Sequence, residues 1–210
     1  MDGVLPLDKV VISDDLLRRP ARLADYAAEN EALVAIAVEM ANPFGKVLKK
    51  LTDTALALCN AHSAGISLLE RDRGHLVFRW HAVSGLWAGY EGGTRPRDSS
   101  PCGIVLDRNR FQLMATPEKH FSSMRDAVPP ISEALLTPFC VAGETVGTIW
   151  VISHSDGRKF DPEDIRLMGS LATLAASAFV IRSSLQASGD RLRITVGKTP
   201  RRRATDSTLQ

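Results

Sequence analysis

Residues 134–154 read A-L-L-T-P-F-C-V-A-G-E-T-V-G-T-I-W-V-I-S-H. Two runs rich in β-branched and aromatic residues flank Ala142-Gly143-Glu144, a turn signal, so the segment predicts an antiparallel hairpin. In the outgoing run Val146, Thr148, Trp150 and Ile152 fall on one face, and Ile149 and Val151 on the other. Apolar residues on both faces predict a central strand covered on both sides. Pro138 in the incoming run has no N–H to donate, which predicts a bulge or an open edge there.

The region before the hairpin repeats the pattern. Ile66 and Leu68 alternate in one strand, and Arg71-Asp72-Arg73-Gly74 reads as a turn. In the next strand Leu76, Phe78, Trp80 and Ala82 are expected on one face and Val77, Arg79, His81 and Val83 on the other. His81, alternating with Arg79, is expected on the wetter face in a structural role. Two helices precede these strands. The first is expected to begin at Pro20 and to end at Asn42-Pro43. Its Leu23, Tyr26, Asn30, Leu33, Ala37 and Met40 recur at heptad-like steps. That stripe suits either a paired helix, with Asn30 fixing register, or a single helix packed on its own domain. The second helix presents Phe44, Val47, Leu48, Leu51, Ala55 and Leu58 on one face and ends near Cys59-Asn60, which makes Cys59 a core residue.

After the hairpin, Asp161-Pro162-Glu163-Asp164 is a helix start, with a cap, a proline in the first turn and acidic residues at the positive end. Two stripes follow: Ile165, Met168, Ala172, Ala175, Phe179, and Leu167, Leu171, Leu174, Ala178, Ile181, Leu185. Residues two apart are about 200° apart on a helix. One stripe is therefore expected to cover the sheet. The other, with the Leu23–Met40 stripe, is expected to meet a second copy of the chain in a helical bundle.

Between the two strand regions lies R-P-R-D-S-S-P-C-G-I-V-L-D-R-N-R-F-Q-L-M-A-T-P-E-K-H-F, residues 95–121, preceded by a loop holding Gly85, Gly89, Gly92 and Gly93. Ser99 or Ser100 caps a short helix with Pro101 in its first turn, ending near Arg108-Asn109. Phe111–Met114 is a short strand, Thr116–Val128 is irregular, and Pro129-Pro130 turns the chain. A segment of this kind suits a lid over a pocket. The free N–H groups at the helix start, with Arg95 and Arg97 just before it, predict a site for a phosphate or carboxylate. Trp80, Trp87 and Trp150 are candidate aromatic walls, with Trp80 and Trp150 as core residues of their strands the alternative, and Ser99, Ser100 and His120 share the lid. Cys102, in the first helical turn near arginines, is expected to have a lowered pKa and to be the most reactive thiol, with Cys59 and Cys140 packed in apolar surroundings.

Composition bounds the function. The chain has 210 residues, 44% hydrophobic and 24% charged, with a net charge of +2. That is ordinary for a globular protein, and the body carries no nucleic-acid footprint. Basic residues gather at Arg191, Arg193, Lys198 and Arg201–Arg203. That tail reads as solvated and disordered, with a phosphate- or membrane-binding arm as the alternative. Three cysteines without a C-x-x-C pair argue against a disulfide framework or a zinc site. The N-terminus lacks a signal-peptide pattern, and no apolar run of membrane-spanning length is expected. These features together predict a cytoplasmic protein with no membrane partner. His120 and His154 have no metal-ligand spacing, so no metal site is expected.

Residues from about Asn42 to Arg182 resemble the GAF domain family. The resemblance rests on S-A-G-I-S-L-L-E (63–70), F-R-W-H-A-V-S-G (78–85), S-S-P-C-G-I-V-L-D-R (99–108), V-G-T-I-W-V-I-S-H (146–154) and F-D-P-E-D-I-R-L-M (160–168), in that order and spacing. The subtype is similar to GAF modules attached to bacterial sensor histidine kinases. The resemblance implies an α+β fold: a central antiparallel sheet of about six strands, helices on one side and a lid segment on the other. It implies a ligand cavity under the lid, signalling through terminal helices in a homodimer, and a histidine kinase or other signalling protein as partner. It names no ligand or cofactor, because one fold hosts many. The division expected is an extension over residues 1–19, a signalling helix over 20–42, the GAF-like domain over 43–185 and a basic tail over 186–210. Kinase, DNA-binding and phosphodiesterase motifs are absent from the sequence. The expected function is a non-enzymatic sensory module binding a small molecule at Trp87, Arg95, Arg97, Ser99, Ser100, Cys102, His120 and Trp150. The alternatives are a Cys102 thiol sensor or enzyme similar to free methionine sulfoxide reductases, and a ligand-free dimerisation module. A bilin carrier is disfavoured because Gly103, not histidine, follows Cys102.

Overall fold

The computed structural model describes residues 4–196, and side chains as far as residue 185. Two short helices, α1 (Leu7–Val10) and α2 (Ser13–Leu16), precede α3 (Tyr26–Glu39) and α4 (Phe44–Leu58). Strands β1 (Ser63–Asp72) and β2 (His75–Gly85) follow, then the short β3 (Thr94–Pro96), α5 (Pro101–Arg108) and β4 (Gln112–Ala115). The hairpin β5 (Glu133–Val141) and β6 (Glu144–Ser153) leads to α6 (Pro162–Val196). The six strands form one antiparallel sheet in the order β3-β2-β1-β6-β5-β4. β1 and β6 are central, as the two-faced apolar pattern of residues 145–154 requires. The β1–β2 turn uses Arg73 and Gly74 and the β5–β6 turn Ala142 and Gly143, all at positive φ. That is the backbone a two-residue hairpin loop demands.

Each face of the sheet carries its own core. On one face α4 and α6 bury Val47, Leu48, Leu51, Ala55, Met168, Leu171 and Ala175 against Ile66, Leu68, Ile149 and Val151. On the other, α5 and the lid bury Phe78, Trp80, Trp87, Val105, Met114, Trp150 and Ile152. Strict alternation fails at two bulges. The register jumps from Ile66↔Ala82 to Ser67↔Trp80, leaving His81 unpaired as the extra residue. Trp80 therefore sits on the lid face while Ala82 sits on the helix face, which corrects the expectation that they share one. A second jump, between Phe139 and Cys140, turns Val146 to the helix face. It lies two residues after Pro138, which is itself beyond the last residue of β5 paired with β4. His81 lies against Glu70 at 2.5 Å, beside the Arg79–Glu70 ion pair at 3.0 Å.

The terminal helices depart from the sequence reading in two ways. α3 begins at Tyr26 rather than Pro20, with the Asp25 carboxylate accepting the Ala28 N–H at 3.0 Å. The face it turns inward holds Glu29 and Ile36, and the first part of the expected stripe points away: Leu23 is 95% exposed, and Tyr26 and Asn30 are exposed too, while Leu33 is half-buried and Met40 packs on the core. A glutamate can lie inward because Arg166 of α6 grips both its oxygens, at 3.0 and 2.6 Å. The second correction concerns α6. Leu167, Leu171 and Ala178 of the supposed outer stripe are buried in the same core as Met168, Ala172 and Ala175. Adjacent residues lie only about 100° apart, so both stripes contribute to one broad buried arc. Of its large apolar side chains, only Val180, Ile181 and Leu185 are exposed among the described residues. α6 also runs on to Val196, through the first part of the segment expected to be disordered; Arg201–Arg203 lie outside the described residues. By length and composition Pro162–Leu185 is apolar enough to cross a membrane, which the sequence reading did not anticipate. Its apolar arc is instead packed on this chain's own sheet and on α4.

The N-terminal extension is part of the fold. Ile12 N–H donates to the Leu113 carbonyl at 2.8 Å, and Leu113 N–H to Ser13 Oγ at 3.0 Å, covering the outer edge of β4. Covering an edge strand removes a template for unwanted pairing. Further on, Arg19 grips Glu133 at 2.8 and 3.0 Å. Arg22 reaches Asp161 at 2.9 Å and Asp164 at 2.7 Å.

Candidate functional site

The lid is held at both ends. β3 pairs with Val77–Arg79 of β2. Ser100 Oγ accepts the Gly103 N–H at 3.3 Å and caps α5, which ends at Asn109 in the left-handed region. Gly103 is required here: a Cβ on it would lie 2.0 Å from the Arg97 carbonyl oxygen. Under the lid is a cavity lined by Trp80, Trp87, Arg95, Ser100, Cys102 and Trp150, with Met124 and Leu136 at its apolar side. Its free space is about 30 Å³, room for one or two waters.

Five of the eight expected site residues meet there: Trp87, Arg95, Ser100, Cys102 and Trp150. Three do not. Arg97 faces outward in ion pairs with Asp98 and Asp107. Ser99 is exposed and offers only its carbonyl, to Ser123 Oγ at 3.1 Å. His120 Nδ1 donates to the Leu5 carbonyl at 2.7 Å, with its ring 4.7 Å from that of Phe121. Of the two arginines only Arg95 lines the cavity, while acidic neighbours hold Arg97 outside it. Trp80 also lines the cavity, brought there by the His81 bulge. Met124 comes from an irregular stretch without periodicity, so no sequence signal marks it.

Arg95 is the distinctive charge. Its guanidinium carbon lies 4.7 Å from the centre of the Trp80 ring, a cation–π contact. Nη1 donates to the adjacent Thr94 carbonyl at 2.8 Å, and the buried Nε–H has no hydrogen-bond partner. Among the described residues no carboxylate pairs with it. Burial pushes its pKa down, against smaller opposing effects of Tyr90 and Cys102. A half-buried cation with an unused donor is costly to leave without an acceptor.

The aromatic walls touch one another. Trp87 is fully buried; its ring stacks on Trp80 at 5.8 Å and meets Trp150 edge-on at 6.3 Å. Its Nε1–H donates to the Pro129 carbonyl at 3.0 Å. Trp150 Nε1–H donates to Ser67 Oγ at 2.9 Å. Gly65 leaves room for the Trp150 ring, which would lie 2.1 Å from a Cβ there. Behind Trp87, His154 bridges Ser63 Oγ and the Pro130 carbonyl, each at 2.8 Å, and its burial lowers its pKa.

Cys102 contradicts the expectation of a reactive thiolate. It is buried, with Thr148 Oγ1 donating to its sulfur at 3.2 Å. Burial raises its pKa by more than Thr148, Ser67 and Arg95 lower it. Cys59 is buried and raised as well, whereas Cys140 is exposed rather than packed. Competitive alkylation of the folded protein should therefore label Cys140 first, at least tenfold ahead of the other two. Peptide mass spectrometry checks this, and early labelling of Cys102 would contradict the closed lid. Among the described residues, no group of three or more His, Cys, Asp or Glu side chains is arranged to hold a metal.

Comparisons with known proteins agree with this architecture. The family described as GAF domain matches residues 41–180. Among solved structures, the GAF domain of a phosphoenolpyruvate-protein phosphotransferase from Coxiella burnetii superposes with a TM-score of 0.63 at 17% identity, covering 78% of this chain and 99% of that one. Free methionine-R-sulfoxide reductase from Neisseria meningitidis, in complex with its substrate, gives 0.58 at 18% identity, covering 80% and 97%. The GAF-B domain of DevS from Mycobacterium smegmatis gives 0.55 at 20% identity, covering 70% and 99%. At such identities the likeness is one of fold. The search of curated proteins finds no match.

Proposed function

This chain belongs to the GAF domain family, a family of small-molecule-sensing modules, and from that premise we propose that it is a non-catalytic cytoplasmic sensor for a small anionic molecule. The observation that carries the reading is Arg95: a half-buried guanidinium on an aromatic wall, with no carboxylate partner and one buried donor unused. An anion in the cavity would take that donor and neutralise the charge. The free space admits one or two waters, so a larger ligand requires the lid to move outward. The non-catalytic reading is supported by Cys102, whose thiol is buried with a raised pKa. No second cysteine stands near enough to resolve an oxidised one, since Cys59 lies in the core on the other face of the sheet and Cys140 is exposed.

Thermal-shift screening with carboxylates, nucleotides and phosphorylated metabolites tests the reading. A hundredfold excess of ligand over its Kd stabilises a fold by about 2.7 kcal/mol, a shift of a few degrees. Arg95→Ala should abolish that shift, whereas Arg97→Ala, which removes only outward ion pairs, should leave it. An anion whose effect survives Arg95→Ala places its site elsewhere.

The signal is proposed to leave through the terminal helices of a homodimer to a histidine kinase or another signalling partner. Supporting this, Glu29 of α3 is tied to Arg166 of α6, and the α3–α4 junction at Met40 and Phe44 lines a groove with Ile181 and Leu185 of α6. The outer faces of α3 and α6 leave Val34, Val38, Val180, Ile181 and Leu185 exposed. Burying such side chains contributes roughly 1.5–3 kcal/mol each. Light scattering at micromolar concentration should report twice the chain mass, and Val34→Asp with Val38→Asp should return a monomer. A second reading, a ligand-free dimerisation module, draws on the small size of the cavity. It predicts the dimer with no anion-dependent shift.

A further inference from the structure

The turn between β2 and β3 is exposed at Gly85, Leu86, Ala88, Gly89, Glu91 and Gly92, yet it drives one side chain, Trp87, to complete burial. The indole lies in a box of aromatic rings: Trp80 of β2 stacked, Trp150 of β6 and Tyr90 of the same turn edge-on, and His154 tilted, with centroids 5.3–6.3 Å away. Its N–H meets a carbonyl, Pro129 O, as a bound ring would. Besides this insertion, hydrogen bonds tie the β3 end of the turn to β2, with Gly92 N–H donating to Trp80 O, Arg79 Nη1 to Gly92 O and Val83 N–H to the Glu91 carboxylate, and others hold the part nearer Trp87. Leu86 N–H donates to His62 O, Trp87 N–H to Ser63 Oγ, and Tyr90 hydroxyl accepts the Val128 N–H. Gly89 and Gly92 have open space where a Cβ would stand, and Gly92 is at positive φ.

Arg95, with its unused Nε–H, lines the same cavity. An aromatic box with a carbonyl at one side and an unpaired guanidinium at another is complementary to a flat ring that carries a donor and a negative group. We infer that Trp87 is an intramolecular plug occupying the binding position, and that the site takes a planar aromatic carboxylate in its place, expelling the plug and the turn that bears it. This rests on the reading of Arg95 as an anion site and extends it to a ligand class and an opening step. Expulsion moves a turn adjoining β3, so occupancy would release the lid's first strand.

The test uses the full chain with indole-3-carboxylate and, as its neutral counterpart, indole. The chain has three tryptophans, so each indole N–H signal in a ¹⁵N spectrum can be assigned with single Trp→Phe variants. Adding indole-3-carboxylate to wild type should shift the Trp87 N–H to a solvent-exposed, exchanging position while the Trp150 N–H stays bonded. Indole should need at least tenfold more. Trp87→Ala, with no plug to expel, should bind indole-3-carboxylate at least tenfold more tightly than wild type, and Arg95→Ala should erase the preference for the carboxylate. If Trp87→Ala does not fold, the wild-type spectrum decides. Anion binding that leaves Trp87 in place overturns the plug while keeping the anion site. Equal affinity of wild type and Trp87→Ala also overturns it. Absence of binding by any anion overturns both.

Discussion

Asp164→Ala should lower the unfolding free energy by about 3–5 kcal/mol, the range for removing one partner of a buried ion pair. Asp164 is fully buried at the start of α6, between Arg22 at 2.7 Å and Arg158 at 2.6 Å, and it also accepts the Asp161 N–H at 2.9 Å. Around it Arg22 reaches the Leu58 carbonyl and Arg158 the Cys59 carbonyl, which joins the N-terminal segment, the end of α4 and the start of α6. Without the carboxylate, Arg158 loses its acidic partner and Arg22 keeps only Asp161. Asp164→Asn keeps an acceptor and should lose less. Urea denaturation of the three proteins measures both differences, and a loss under 1 kcal/mol for the alanine would show that the knot does not hold the terminal segments.

Gly103→Ala should destabilise by about 1–3 kcal/mol, typical of overpacking. The sign is the informative part. In an unobstructed helix the same change would stabilise by about 1 kcal/mol, through propensity. Here the added methyl meets the Arg97 carbonyl at 2.0 Å, and backbone on both sides must move. The displaced turn carries the link from Arg95 to the α5 cap, so anion affinity should fall as well. Stabilisation by alanine would mean that the turn and α5 are not packed as described.

The sheet and its order of elements were legible because hairpin turns and period-two runs are local signals. The lid helix was legible too, since Ser100, Pro101 and Asn109 each perform a local backbone task. What failed depended on partners distant in sequence. Glu29 reads as a solvated residue until Arg166 is brought to it, which rotates α3 relative to its apparent stripe. Leu167 and Leu171 read as an outer stripe because their wheel position ignores how widely the sheet and α4 wrap α6. Cys102 reads as activated from its helix position and neighbouring arginines, but burial under the lid outweighs both. Arg95 and Arg97 are indistinguishable as a sequence pair; Asp107, ten residues away, separates their fates. Trp87 was legible as a candidate wall in a loop, and only the assembled fold shows it as the most enclosed ring of the site.

The most direct test of the sensor reading is the Arg95 Nε–H signal itself, followed in ¹⁵N-labelled protein during titration with the anion that most raises the melting temperature. The account predicts that this orphan donor shifts downfield on binding and becomes protected from exchange with water, while the Arg97 Nε–H, outside the cavity, does not move. An Arg95 signal unchanged at saturation would contradict it.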